Sequence, residues 1–150
     1  MAAFALAAAW ASPAAANWQY TTWEMSPEQV IAASGGQARA ASAGGDLTVG
    51  STKGAEGTFT AADRIFNVRF YFAEQKLRKV TLSLHGVGTC NQTNQDMQAI
   101  YGAPIEVQGG MVATAVWLDR VHGNRVKMIQ TLDYCQIDYS PLASAAASHL

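Results

Sequence analysis

Charge is scarce in this chain: Asp, Glu, Lys and Arg make up 14% of 150 residues, the net charge is −1, and neither sign forms a run. Nucleic acid and anionic membrane surfaces are gripped by clustered Lys and Arg, so no nucleic-acid partner is expected. Cysteine is scarcer, with only Cys90 and Cys135 and no Cys-x-x-Cys pair, which removes a thioredoxin-like redox motif and a zinc site. No Gly-x-Gly-x-x-Gly occurs, and Gly50-Ser51-Thr52-Lys53-Gly54 lacks the Gly-Lys-Ser/Thr ending of a phosphate loop. No apolar run reaches the roughly 20 residues that cross a bilayer as a helix, so no stable membrane insertion is expected. The three histidines, His85, His122 and His149, stand apart in unlike surroundings. They indicate no metal site, and nothing else indicates a cofactor.

What the chain does have is apolar content, 49% of its residues, arranged with period. The organising stretch is Ile65 to Leu84. Phe66, Val68, Phe70 and Phe72 alternate with Asn67, Arg69 and Tyr71; after a polar break at Ala73-Glu74-Gln75-Lys76, Val80, Leu82 and Leu84 alternate with Lys79, Thr81 and Ser83. Period-2 alternation on both sides of a short polar break predicts a β-hairpin with one apolar and one polar face. The apolar face needs a cover, which predicts helices on it. The polar face collects Arg69, Tyr71, Lys79 and Thr81, and Arg and Tyr are residue types that anchor interfaces. These four are the candidate partner-binding residues.

The helices are marked by their caps. Ser26, Pro27 and Gln29 form the signature of an N-cap, a first-turn proline and a capping box, and Gly35-Gly36 stops the helix after about Ser34. A second helix spans Cys90 to Tyr101, with Thr89 and Gln92 as a capping box, Gly102 as its stop and Cys90, Met97, Ile100 and Tyr101 on one face. Between the first helix and the hairpin, 37–57 reads as a mobile Gly-rich surface loop with a brief strand at Leu47-Thr48-Val49, and Gly57-Thr58-Phe59-Thr60 begins another strand that leads through a turn at Ala62-Asp63-Arg64 into the hairpin. Trp18, Tyr20 and Trp23 read as aromatic anchors of the N-terminal segment. Three further strands are expected at Ala113–Leu118, Arg125–Thr131 and Tyr134–Tyr139, with Pro141 as a stop and 142–150 as a disordered tail. The fold class is therefore α+β, an antiparallel sheet with two short helices on one face. Residues 17–141 form a single domain, its halves about 17–88 and 89–141.

Residues 1–16 carry no charge and end in Ala14-Ala15-Ala16, which reads as a signal peptide cleaved after Ala16. The missing Lys or Arg ahead of the apolar run departs from the usual pattern. Export would place the chain in the periplasm or medium, where Cys90 and Cys135 are expected to form a disulfide. The turn Asp119-Arg120-Val121-His122 is the one local polar cluster that could serve an acid/base pair, although a hairpin turn alone explains its composition. Two functions are carried forward. One is a non-catalytic binding module with an envelope protein as partner; the other is a small periplasmic hydrolase with a site near Asp119 and His122. Nothing in the sequence speaks to oligomeric state.

A short helix opened by Met25-Ser26-Pro27-Glu28-Gln29-Val30, a second ending Tyr101-Gly102-Ala103-Pro104, and the final Cys135-Gln136-Ile137-Asp138-Tyr139-Ser140-Pro141 give an order of helix, strands, helix, strands. This order resembles the tandem helix-plus-meander units of the β-lactamase-inhibitor-protein-like fold and of SmpA/OmlA-type envelope proteins. The resemblance implies a tandem αβββ repeat. It carries over no inhibitory or assembly residue, and the lipid-anchoring Cys of the SmpA/OmlA type is absent here.

Overall fold

The computed structural model describes residues 17–42, 47–48 and 50–142. The expected signal peptide, Val49, His149 and the tail beyond Leu142 lie outside these residues. Leu142 itself is tied down, its N–H donating to the Gly123 carbonyl at 2.9 Å.

In chain order the elements are α1 (Pro27–Ala33), β1 (Ala38–Ala40), β2 (Leu47–Thr48), β3 (Ser51–Ala61), β4 (Arg64–Ala73), β5 (Lys76–His85), α2 (Thr89–Tyr101), β6 (Glu106–Gln108), β7 (Ala113–Asp119), β8 (Asn124–Gln130) and β9 (Tyr134–Pro141). All described strands join one antiparallel sheet in the order β1-β3-β4-β5-β9-β8-β7-β6, with β2 paired to β3. The chain is α+β, as its patterning predicts.

The central hairpin forms as expected and its turn is the tightest kind. Glu74 and Gln75 both have positive φ, 52° and 62°, and the register closes at Ala73 opposite Lys76. Two left-handed central residues match the right-handed twist of the flanking strands. Helix α1 is also built as its signature predicts: the Gln29 N–H donates to Ser26 Oγ at 3.2 Å and the Ser26 N–H to Gln29 Oε1 at 2.9 Å. Only Val30 of this short helix is buried.

Three expectations are corrected. The stretch 37–57 is not a loop, because β1 and much of β3 lie in it. Gly57 permits this: a Cβ there would strike the Gln37 carbonyl oxygen as β1 packs alongside. The Thr89–Gln92 capping box does not form, since Gly88 is the N-cap and Thr89, already in the first turn, donates its hydroxyl back to the Gly86 carbonyl at 2.8 Å. Ile100 is 68% exposed instead of sharing the buried face with Cys90 and Met97. It lies toward the edge of that face.

The core contains Val68, Phe70, Leu77 and Val80 of the hairpin, Trp117, Val126 and Met128 of the second meander, Trp18, Val30 of α1, and Cys90 and Met97 of α2. Helix α1 packs on β1 and β3, and α2 on β5, β7 and β9.

Candidate ligand cavity

Between α2, the N-terminal aromatic segment and the sheet lies a cavity of about 830 Å³. Its walls are largely apolar. Phe66 of β4, Leu82 of β5 and Ile137 and Tyr139 of β9 come from the sheet, and Met97 and Tyr101 from α2. Trp18 and Phe59 also line it, with ring centroids 5.5 Å apart at 67°, an edge-to-face pair. The N-terminal segment is held here by polar contacts of its own. The Asn17 side-chain amide donates to the His122 carbonyl at 2.7 Å, and the Trp23 indole N–H to Asn124 Oδ1 at 3.1 Å. Trp18, Tyr20 and Trp23 thus all pack on the core, as their clustering predicts.

Polar groups line two regions of the cavity. In one, the β7–β8 turn brings Asp119 and His122 together: His122 Nδ1 lies 2.7 Å from Asp119 Oδ2, and the His122 N–H donates to Asp119 Oδ1 at 3.2 Å. The carboxylate is nearly buried and the imidazole half exposed. Tyr139 and Tyr101 interact beside this pair, and burial raises the pKa of both phenols above its ordinary value, most strongly for Tyr139. No Ser or Cys lines the cavity among the described residues; the hydroxyls there are Thr93 and the two phenols. Thr93 is already committed, donating to the Thr89 carbonyl at 2.9 Å. An acid/base pair is therefore present without a side-chain nucleophile of the serine or cysteine class.

In the other region Arg64, the first residue of β4, reaches α2. One terminal nitrogen donates to Thr93 Oγ1 at 2.7 Å, and the other pairs with the Asp96 carboxylate. That pairing, together with Gln92, holds the Asp96 carboxyl below its usual range. The third guanidinium nitrogen, Arg64 Nε, is buried and has no hydrogen-bond partner, alone in this respect among the described side chains. Leaving a buried donor unmatched costs about 1–3 kcal/mol.

The structure gathers Arg69, Tyr71, Lys79 and Thr81 on the sheet's polar face, but not as a uniformly open surface. Tyr71 and Thr81 are buried, at 4% and 2% exposure, and Arg69 and Lys79 are half-buried. The Lys79 ammonium sits 4.5 Å from the centre of the Tyr71 ring, and Thr81 donates to Asp138 Oδ1 at 2.8 Å. Neighbouring strands supply the cover: Glu56, Arg69, Thr81, Asp138 and Lys127 stand in one register row across five strands. His85 is apart from the cavity, its ring against Tyr134 at 4.9 Å.

Cys90 and Cys135 are both buried, adjacent, and present as thiols. Cys90 opens α2 and Cys135 lies on β9, so this pair joins the helix that roofs the cavity to the sheet beneath it. Burial, and then the Cys90 thiol alongside, raise the Cys135 thiol well above its ordinary range. Among the described residues no three His, Cys, Asp or Glu side chains come together as a metal-holding group. Nor is any described helix long and apolar enough to cross a membrane.

Sequence reasoning had placed Asp119 and His122 together but missed the cavity, Arg64 and the Arg64–Asp96 pair. The signal for them lay in the apolar face itself, which two short helices are too small to cover. Comparison of the chain with protein-family models, curated proteins and solved structures finds no match.

Proposed function

We propose that this chain is an exported binding protein whose ligand is a small, largely apolar molecule held in the cavity under α2. The observation that carries this is a cavity of about 830 Å³ whose apolar wall is built by Trp18, Phe59, Phe66, Leu82, Met97 and Ile137. Pockets of this size and lining take drug-sized ligands, the apolar walls supplying affinity and a few polar atoms the orientation. Titration with N-phenyl-1-naphthylamine, whose emission rises in apolar surroundings, tests it. Saturable one-to-one binding is expected, and Ala61→Phe, which fills the wall at β3, should weaken it while the protein stays folded. Absence of saturable binding to the folded wild type would sink the reading.

The element order supports the finer architecture. Helix α1 precedes β3–β5 and α2 precedes β7–β9, and the last strand of each set, β5 and β9, meet at the middle of the sheet. In this reading the halves are a tandem αβββ repeat with both helices on the apolar face. Export, with cleavage after Ala16, belongs to the same proposal, and so does a Cys90–Cys135 disulfide in the oxidising compartment. The mass of protein from cell fractions should begin at Asn17.

The 2.7 Å Asp119–His122 contact favours a second reading, a small hydrolase in which the pair activates water. Turnover of p-nitrophenyl esters that disappears in His122→Ala, with naphthylamine binding retained, would establish it; no turnover above buffer is the outcome expected of a binder. An envelope protein partner on the opposite face would meet Arg69 and Lys79, since Tyr71 and Thr81 of the four candidates are buried within the chain. The mixed-charge row through Glu56, Asp138 and Lys127 supports it, and Lys79→Glu should weaken such a complex without altering the cavity.

A further inference from the structure

The two ends of the sheet are finished differently. At β1 the outer side is occupied: the Ala38 N–H donates to Ser34 Oγ at 3.0 Å, so the end of α1 covers the start of that strand. At the other end, β6 pairs only with β7 among the described strands. Sheet edges are ordinarily guarded by lysine, proline or a bulge, because their unpaired N–H and C=O groups accept another strand. Glu106-Val107-Gln108 has no lysine or proline, and its one charge, Glu106, lies 3.9 Å from Arg125 of its own chain. The apolar face also runs out to this edge. Leu82, Ile137, Met128, Ala115 and Val107 stand in one register row, the first three of them buried, yet Val107 is 67% exposed. Ile105, Met111 and Val112 beside it are each more than half exposed. Apolar exposure gathered at one unguarded edge marks an interaction surface.

The occupant follows from the strand's own sequence. Antiparallel pairing of β6 with itself, centred on Val107, sets Val107 against the second copy's Val107 and Glu106 against its Gln108. A carboxylate then meets an amide donor, and no like charges stand opposite one another. The next pair is Ile105 against Gly109, where a Cβ would meet nothing within 4 Å, so the incoming isoleucine has room. Gly109 also borders a groove of about 240 Å³ between α2 and the β6–β8 edge, which such a side chain would help to cover. We propose that two copies of this chain join edge to edge through β6 about a two-fold axis. The apolar row of one sheet then continues into that of the other. With β1 held by Ser34, the pairing closes at two copies and does not propagate into a fibre.

Sedimentation equilibrium of the purified protein tests this. At about 0.1 mM the mass should approach that of two chains and fall toward one on dilution, as expected of a small interface. Val107→Lys places two ammonium groups across the axis and should hold the mass at one chain, while the melting temperature of dilute protein stays the same because Val107 is exposed. Val107→Cys should join to its counterpart through a short bismaleimide, and Ile65→Cys, equally exposed but on β4, should not. If Val107→Lys does not fold, the cross-link decides. A one-chain mass for the wild type at every concentration overturns the proposal, including where Val107→Cys captures a strand of a different protein. A two-chain mass that Val107→Lys leaves intact also overturns it, because the copies then meet elsewhere.

Discussion

The two faces of the β4–β5 hairpin are built from the same twenty residues and closed by opposite means. On one face Phe70 opposite Val80 and Val68 opposite Leu82 are buried by other apolar groups, from α2, Trp18 and the second meander. On the other, Thr81 and Ser83 are just as buried, at 2% each, but under polar neighbours. Thr81 and Gln136 both donate to Asp138 Oδ1 at 2.8 Å, and the Tyr134 hydroxyl donates to Gln136 at 2.5 Å. Those hydrogen bonds tie side chains of adjacent strands directly to one another across the face. Apolar contacts make no such ties. Beneath α2 the apolar face is left with a cavity, and that cavity is the candidate site.

The sharpest way to break this comparison is to remove bulk from the apolar face. Phe70→Ala should cost about 3–5 kcal/mol, because a fully buried ring is lost from the packed core and leaves a void behind. Denaturant unfolding measures it, and a loss below 1 kcal/mol would show that this face is not the core. Next comes the tie between α2 and that face. A Cys90–Cys135 bridge closes about 46 residues and should contribute about 2–4 kcal/mol, read as the drop in melting temperature on reduction. Two free thiols titrated in unfolded, unreduced native protein would refute the bridge.

The reduced protein offers a pH test of the same contact. Burial raises the Cys135 thiol in the folded state above its unfolded value of about 8.5. A raised folded value means that the stabilisation is complete below the unfolded value and is lost as pH climbs above it. Reduced protein should therefore lose stability above about pH 8.5, and bridged protein should not show that loss. Identical alkaline profiles for the two forms would contradict the burial of the thiol. On the polar face the expected effect is smaller. Thr81→Val keeps the shape and removes one hydrogen bond to Asp138, which retains Gln136, so about 1 kcal/mol should be lost.

Much of this fold was legible because its signals are local. The Ser26–Gln29 box, the Gly102 stop and the alternation through Phe66–Leu84 each act within a few residues, and each appears where the sequence places it. The first half of strand β3 was hidden. Its sequence Ser51-Thr52-Lys53-Gly54-Ala55-Glu56-Gly57 has no alternation of large apolar residues, and it becomes a strand through its long pairing with β4. The cavity was hidden for a related reason. Asp119 and His122 are three residues apart and could be paired by eye, but Arg64 meets Asp96 across 32 positions of chain, and an empty volume leaves no residue to mark it. Alternation also assigned Thr81 and Tyr71 to a face without saying how crowded that face would be.

The smallest effect concerns the turn that decides which residues go to which face. A slip of one position in the hairpin would move Phe70 and Val80 outward and Arg69 and Thr81 into the core, so the Glu74–Gln75 turn fixes the whole arrangement. Both residues hold positive φ, which costs a residue with a Cβ about 1–2 kcal/mol relative to right-handed backbone. The pair Asn-Gly takes that conformation readily, and the flexibility of glycine in the unfolded chain returns about 0.5–1 kcal/mol of the gain. Glu74→Asn combined with Gln75→Gly should therefore stabilise by roughly 0.5–1 kcal/mol, a rise of about 2–4 °C in melting temperature. Naphthylamine binding should be unchanged, because the turn lies away from the cavity lining. A fall in melting temperature would mean that contacts made by Glu74 or Gln75, and not turn geometry, hold the register.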